Sequence, residues 1–209
     1  MGIVIGIDVG ISTTKIVGIV EQGKVLSPIR IKATDPVTSL YGAFGKFLYV
    51  NKIQLQDIEK VMLTGVGSAY INEPIYNLPT EKAEEFIADG LGARYETKLD
   101  RMIVVSMGTG TSIVKCDGED IKHIGGIGIG GGTLQGLSRL LLKTDDILQV
   151  SKLAEEGDVA HINLLIKDIS AKPLPGLPMD AIASLCGNAK SNASREDIAI
   201  GLIWMVLQS

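Results

Sequence analysis

Apolar runs over Ile3–Asp8 and again over Lys15–Val20, bounded by glycine and polar residues, read as strands. Gly10, Ser12, Thr13 and Thr14 stand between them, so the pair reads as a hairpin with a polar tip. EQGK follows as a turn and Lys24–Lys32 as a third strand. From Pro36 to about Tyr49 the spacing becomes helical. A short apolar run at Val61–Thr64 then reads as a buried strand leading into a GVGSAY loop. Pro74 and Pro79 bar regular structure from NEPIYNLPTE, and Thr80 is placed to cap a helix opening at Glu81.

The second half returns to the same plan. Strands at Met102–Ser106 and Ser112–Cys116 are joined by the glycine turn MGTGT, and DGED turns into a strand around Ile121–Ile124. The run GIGGGTLQGLSRLLL starts in glycine and becomes amphipathic, with Leu134, Leu137, Leu140 and Leu141 on one side. Thr144, with Asp145 and Asp146 after it, caps a helix through about Leu153. KPLPGLPMD is a proline-rich loop, and Ser194 to Asp197 forms a capping box for a last helix. That helix runs on to Ser209 with no terminating glycine, so the chain reads as unfinished. Two glycine-tipped hairpins, about a hundred residues apart, predict two α/β lobes built on one plan. The expected lobes are residues 1–100 and 101–209.

With 209 residues, 45% of them hydrophobic, the chain can bury a sizeable core. A net charge of -4 gives no basic footprint for nucleic acid. Its two cysteines, Cys116 and Cys186, lie far apart with no CxxC or Cys/His cluster, which argues against a cysteine-built metal site. Asp8 interrupts the N-terminal apolar run, so no signal peptide is expected, and no stretch reaches the roughly 18–20 apolar residues of a membrane span. A cytoplasmic protein with no membrane partner is the expectation. The 25 glycines gather at strand ends and in GGIGIGGGT, where backbone must turn or approach a ligand.

Phosphate oxygens need converging backbone N–H donors, which calls for glycine at a turn. Asp8, Gly10, Ser12, Thr13, Thr14 and Lys15 add hydroxyls, a neutralising cation and a carboxylate able to hold Mg²⁺ through water. An ordinary exposed hairpin has the same composition. The echo at Gly108, Thr109, Gly110, Thr111 and Ser112 tips the balance toward two tips gripping one polyphosphate. Gly125 to Thr133 runs into a helix and offers a third anion site or a hinge. Glu84, Glu85 and Asp89 read equally as a solvated face, and His123 and His161 as structural histidines.

GIDVG-ISTTK, MGTGTS and GGIGIGGGTLQGLSRLLL, in that order, resemble the type II pantothenate kinases. This family belongs to the superfamily of acetate and sugar kinases, chaperone ATPases and actin. The resemblance implies an α/β, two-lobed actin-like or ribonuclease H-like fold with duplicated β-hairpin phosphate loops. Family members continue past the last helix, so the second lobe is expected to be incomplete here. The implied activity is ATP-dependent phosphorylation of pantothenate, the first step of coenzyme A synthesis, with Mg²⁺, as a homodimer, and with acyl-coenzyme A as a feedback ligand. The family's catalytic glutamate precedes a Phe or Leu and stands seven residues before a glycine, a pattern that Glu85, Phe86 and Gly92 match and Glu84 does not. The residues from Asp8 to Lys15, with Gly108, Thr109, Gly110, Thr111, Gly131, Gly132, Thr133, Leu134 and Gln135, would hold the nucleotide. Ser112 and His123 would meet substrate, His123 standing where some members have arginine. Two readings outside this activity share the same first loop: an ATPase activator of a 2-hydroxyacyl-CoA dehydratase, and an inactive relative that binds nucleotide or coenzyme A.

Overall fold

The computed structural model describes residues 2–20, 23–33 and 35–208. The turn expected at EQGK includes Glu21 and Gln22, which lie outside the described residues. By contact the chain divides into two compact units that interleave in sequence: Met1–Ser106 with Ile113–Gly125, and Met107–Ser112 with Gly126–Ser209.

The first unit is built from β1 (Ile3–Val9), β2 (Thr13–Val20), β3 (Ile29–Lys32), α1 (Pro36–Asn51), β4 (Ile58–Thr64), β5 (Thr80–Lys82) and α2 (Glu85–Thr97). Its sheet has the order β3-β2-β1-β4-β5. β1 runs antiparallel to β2 and parallel to β4, so it is central. Alternation sends Ile3, Ile5, Ile7 and Val9 to one face, where they pack with Leu40, Ala43, Phe44 and Phe47 of α1. Asp35 starts that helix by accepting from the Val37 and Thr38 N–H groups, with Pro36 in its first turn. β3 is shorter than the pattern predicts. Pro28 has no N–H to give a ladder, and the Asn51 side chain takes both backbone groups of Ser27.

Thr80 does not cap a helix. It opens β5, pairs in parallel with Val61, and its hydroxyl accepts from Ile75 N–H and donates to Leu78 O. The helix opens at Glu85, with the Glu84 carboxylate accepting from Ile87 N–H. Long-range strand pairing has overridden a local capping signal.

β6 (Arg101–Met107), β7 (Thr111–Asp117) and β8 (Asp120–Ile127) form a second sheet in that order. Phe86 and Ile87 of α2 pack on its Val114, Cys116 and Ile121. A Cβ on Gly90 would stand 2.6 Å from the Ile121 side chain, so the helix approaches there because it has none.

In the second unit follow α3 (Gly131–Leu137), a wide turn at Ser138–Leu142, α4 (Ile147–Glu155), β9 (Leu164–Leu165), α5 (Ile166–Ile169), β10 (Ile182–Ser184) and α6 (Arg195–Leu207). The wide turn is a π-bulge, which inserts a residue and rotates the side chains beyond it. Leu142 is therefore buried against Val150, Ala154, Ala199 and Leu202, while Leu140 and Leu141 are exposed, contrary to the amphipathic pattern. α4 is capped by Asp146 rather than Thr144, whose hydroxyl accepts from Asp146 N–H. Among the described residues no helix is long and apolar enough to cross a membrane.

α6 begins as expected, with the Ser194 hydroxyl accepting from Asp197 N–H. Asp197 also takes the Asp158 N–H at 2.8 Å and faces His161 Nδ1 at 3.1 Å. The Asp158 amide is the main reason that the Asp197 carboxyl is held below its usual range, followed by Ser194 and His161 against the opposing effect of burial. A depressed carboxylate contributes stability above its unfolded pKa and loses it as pH falls through the folded one. Asp197→Ala should thus lower the melting temperature at pH 7, and the gap to the unsubstituted protein should close below about pH 4.

Candidate active site in the first unit

The face of the five-stranded sheet away from α1 carries a polar row set by register. Arg30 of β3 lies opposite Lys15, Lys15 opposite Asp8, and Asp8 beside Thr64 of β4. At about 4.8 Å per strand the row spans roughly 14 Å. All four residues line one cavity of about 510 Å³, which α2 completes with Glu85, Ala88 and Asp89. Folding therefore brings together the Asp8, Lys15 and Glu85 singled out in the sequence. It adds Arg30 and Thr64, which no motif marked.

Asp8 and Lys15 form an ion pair at 2.8 Å, with the lysine half exposed. The tip beside them is tight. Gly10 N–H donates to Thr13 O, and a Cβ at Gly10 would sit 2.6 Å from that oxygen. Ser12 accepts from Ala33 N–H through its carbonyl, and its hydroxyl is 3.5 Å from that of Thr13. Thr14 is placed differently: it alternates to the α1 side and is fully buried, with a hydroxyl that has no hydrogen-bond partner among the described residues. Its side chain is not offered at the tip.

GVGSAY, read from sequence as a plain loop, forms the wall behind Asp8. Gly65 has φ 84 and ψ 155, a region that side chains avoid, and a Cβ there would fall onto Asp8 Oδ1 and within 2.7 Å of Val9 O. Gly67 is just as close to Val9. Two glycines directly after a buried strand were the available signal.

Glu85 is exposed at the start of α2 yet lines the cavity. Its carboxyl is pushed above its ordinary value, first by partial desolvation, then by the charges of Asp8 and Asp89, with Lys15 opposing. A carboxylate with raised proton affinity in a cavity is suited to accept a proton from a bound hydroxyl. Thr64 supplies a further polar atom, because its buried hydroxyl has no partner among the described residues.

In the second unit the glycine clusters lock onto each other. Gly131 N–H donates to Gly108 O and Gly132 N–H to Thr109 O, both at 2.9 Å. Thr111 Oγ1 donates to Ile129 O, and Thr133 Oγ1 donates to Gly128 O. Gly130 lies so near Gly110 that a Cβ would come within 2.8 Å of its backbone. The first N–H groups of α3 and these two hydroxyls are thus engaged in building the turn. Leu134 packs toward the α4–α6 core, and the Gln135 amide donates to Asp145 O. Gly110 N–H donates in no bond of the turn. Ser112, the second residue of β7, is half-buried.

His123 stacks on Phe86, with ring centroids 4.2 Å apart and planes at 18°, and does not line the cavity. Cys116 is buried beneath Gly90, and Cys186 is exposed. Among the described residues no group of three or more His, Cys, Asp or Glu could hold a metal ion. A single carboxylate does suit Mg²⁺, which keeps most of its waters and takes phosphate oxygens as ligands.

The fold is an α/β, actin-like one with a mixed sheet. It is similar to the activator of 2-hydroxyisocaproyl-CoA dehydratase from Clostridium difficile with bound ADPNP, with a TM-score of 0.66 and 17% identity over 99% of this chain and 72% of that one. It is likewise similar to component A of (R)-2-hydroxyglutaryl-CoA dehydratase from Acidaminococcus fermentans, with a TM-score of 0.68 and 15% identity over 100% of this chain and 76% of that one. At these identities the likeness is one of fold. The family model Fumble matches residues 75–209, and the chain belongs to that family, the type II pantothenate kinases. The type II pantothenate kinase of Staphylococcus aureus (strain USA300) is 33% identical over 189 residues, 88% of this chain. The chain spans 66% of the length of that relative.

Proposed function

We propose that the protein transfers the γ-phosphoryl group of ATP to the primary hydroxyl of pantothenate, giving 4′-phosphopantothenate and ADP. The observation that carries this reading is Glu85 in one cavity with the Asp8–Lys15 pair, its proton affinity raised. Glu85 takes the hydroxyl proton as that oxygen bonds to the γ-phosphorus, and the bond from phosphorus to the β–γ bridging oxygen breaks to release ADP. Lys15 offsets phosphate charge, and Asp8 would hold Mg²⁺ through water. When bound, that ion supplies charge neutralisation on the β- and γ-phosphates. Gly10, Ser12 and Thr13 in the first unit are assigned to nucleotide, as are Gly108–Thr111 and Gly131–Gln135 in the second. The reading also carries a cytoplasmic homodimer and acyl-coenzyme A as feedback ligand.

The test is ADP release from the purified protein with and without pantothenate, with the product identified by mass. Pantothenate-dependent release with a phosphorylated product supports the reading; release indifferent to pantothenate overturns it. A pH profile adds a second check. Because Asp89 raises the Glu85 pKa, Asp89→Asn should move the acid limb of kcat/KM to lower pH while leaving the plateau.

A further inference from the structure

We infer that Arg30 is the specificity residue that binds the carboxylate of the acceptor substrate, an inference that rests on the kinase reading above. Two cations line the cavity, and among the described residues one of them is neutralised. Lys15 is paired with Asp8, while Arg30 has no ion-pair partner among the described residues. The two stand directly opposite on antiparallel strands and line the same cavity. Like charges in that relation destabilise a sheet, a cost that an anion lying against Arg30 would remove. A guanidinium offers forked donors to a carboxylate, which a lysine or a stacked imidazole does not.

The remaining wall fits the body of such a substrate. Val17, Pro28, Met62, Ala83 and Ala88 give an apolar lining between the charged groups. Distance agrees as well. From Asp8 to Arg30 are two strand spacings, about 10 Å. Pantothenate has about nine bonds from its primary hydroxyl oxygen to a carboxylate oxygen, roughly 11 Å when extended. With the hydroxyl beside Glu85 and Asp8, the acid end reaches β3. The class of acceptor selected is a branched, apolar hydroxy acid with its two functional ends about 10 Å apart.

The experiment compares pantothenate with panthenol, in which an alcohol replaces the carboxylate, on the unsubstituted protein and on Arg30→Met. Arg30→Met should raise KM for pantothenate about 10–100-fold with kcat nearly unchanged, and should leave KM for panthenol where it was. Arg30→Lys should recover part of the loss. An equal effect on both compounds, or none on either, overturns the assignment. Calorimetric binding of pantothenate separates this claim from the kinase reading. Tight binding that Arg30→Met weakens, without turnover, upholds Arg30 and sinks the kinase. Turnover indifferent to Arg30 does the reverse, and no binding of pantothenate to the unsubstituted protein sinks the assignment. Because Arg30 is exposed and sits against a like charge, Arg30→Met should melt no lower than the unsubstituted protein without ligand.

Discussion

Glu85→Gln is expected to lower pantothenate-dependent kcat by about 10²–10⁴-fold, the range for loss of a general base. Glutamine keeps the size of the side chain and one acceptor oxygen, but it cannot take a proton. Asp8 and Lys15 remain in place, so stabilisation of the protein by ATP with Mg²⁺ should persist in the variant. The fold should not suffer. A carboxyl whose folded pKa is raised favours the native state below its unfolded pKa and loses that contribution as pH rises through the folded value. At pH 7 the ionised Glu85 is therefore a small burden, and the neutral amide should melt at the same temperature or slightly higher. Loss of turnover with no loss of stability is the signature of a residue retained for chemistry. A variant that turns over normally would remove Glu85 from the mechanism. Steady-state kinetics and a melting curve on the same preparation decide it.

Gly65→Ala should be the most damaging single methyl in the first unit. The backbone there adopts φ 84 with ψ 155, which costs a non-glycine residue about 1–3 kcal/mol. The new Cβ would also press on Asp8 Oδ1 and on the Val9 carbonyl, and overpacking of this kind costs a further 1–3 kcal/mol or so. A total near 4 kcal/mol corresponds to a fall of roughly 8–16 °C in melting temperature for a chain of this size. Whatever relief the structure finds must come from moving Asp8, so ATP affinity should fall with stability. An alanine at Gly92, where a Cβ meets nothing within 4 Å, is the matched control and should do neither. If Gly65→Ala melts and binds like that control, the wall behind Asp8 is not as described.

The first hairpin was legible because its information is local. Two short apolar runs set β1 and β2, and Gly10 must turn where Thr13 O closes the tip. Glu85 could be chosen over Glu84 only through the family pattern. The structure supplies the physical difference, since Glu84 spends its carboxylate on the Ile87 amide while Glu85 lines the cavity. What escaped the sequence is what depends on distant partners. Thr80 looks like a cap until β4 claims it as a strand. Leu140 and Leu141 fit a helical stripe until a π-bulge rotates them outward. Arg30 is one charged residue in an unremarkable stretch, and only the pairing of β3 with β2 brings it to the cavity. Thr14 erred the other way: composition grouped it with its neighbours, and strand alternation took it into the core.

The polar row across the first sheet is also a liability. Its members come from different strands, so the register of strand pairing decides whether they line up. Arg30 is flanked by Ile29 and Ile31, both packed toward the α1 side. A slip of β3 by one residue would turn an isoleucine into the cavity and drive a guanidinium into hydrocarbon. Hydrophobic burial two positions long thus acts as proofreader for a charge, and mutations that loosen Ile29 or Ile31 should blur substrate choice before they unfold anything.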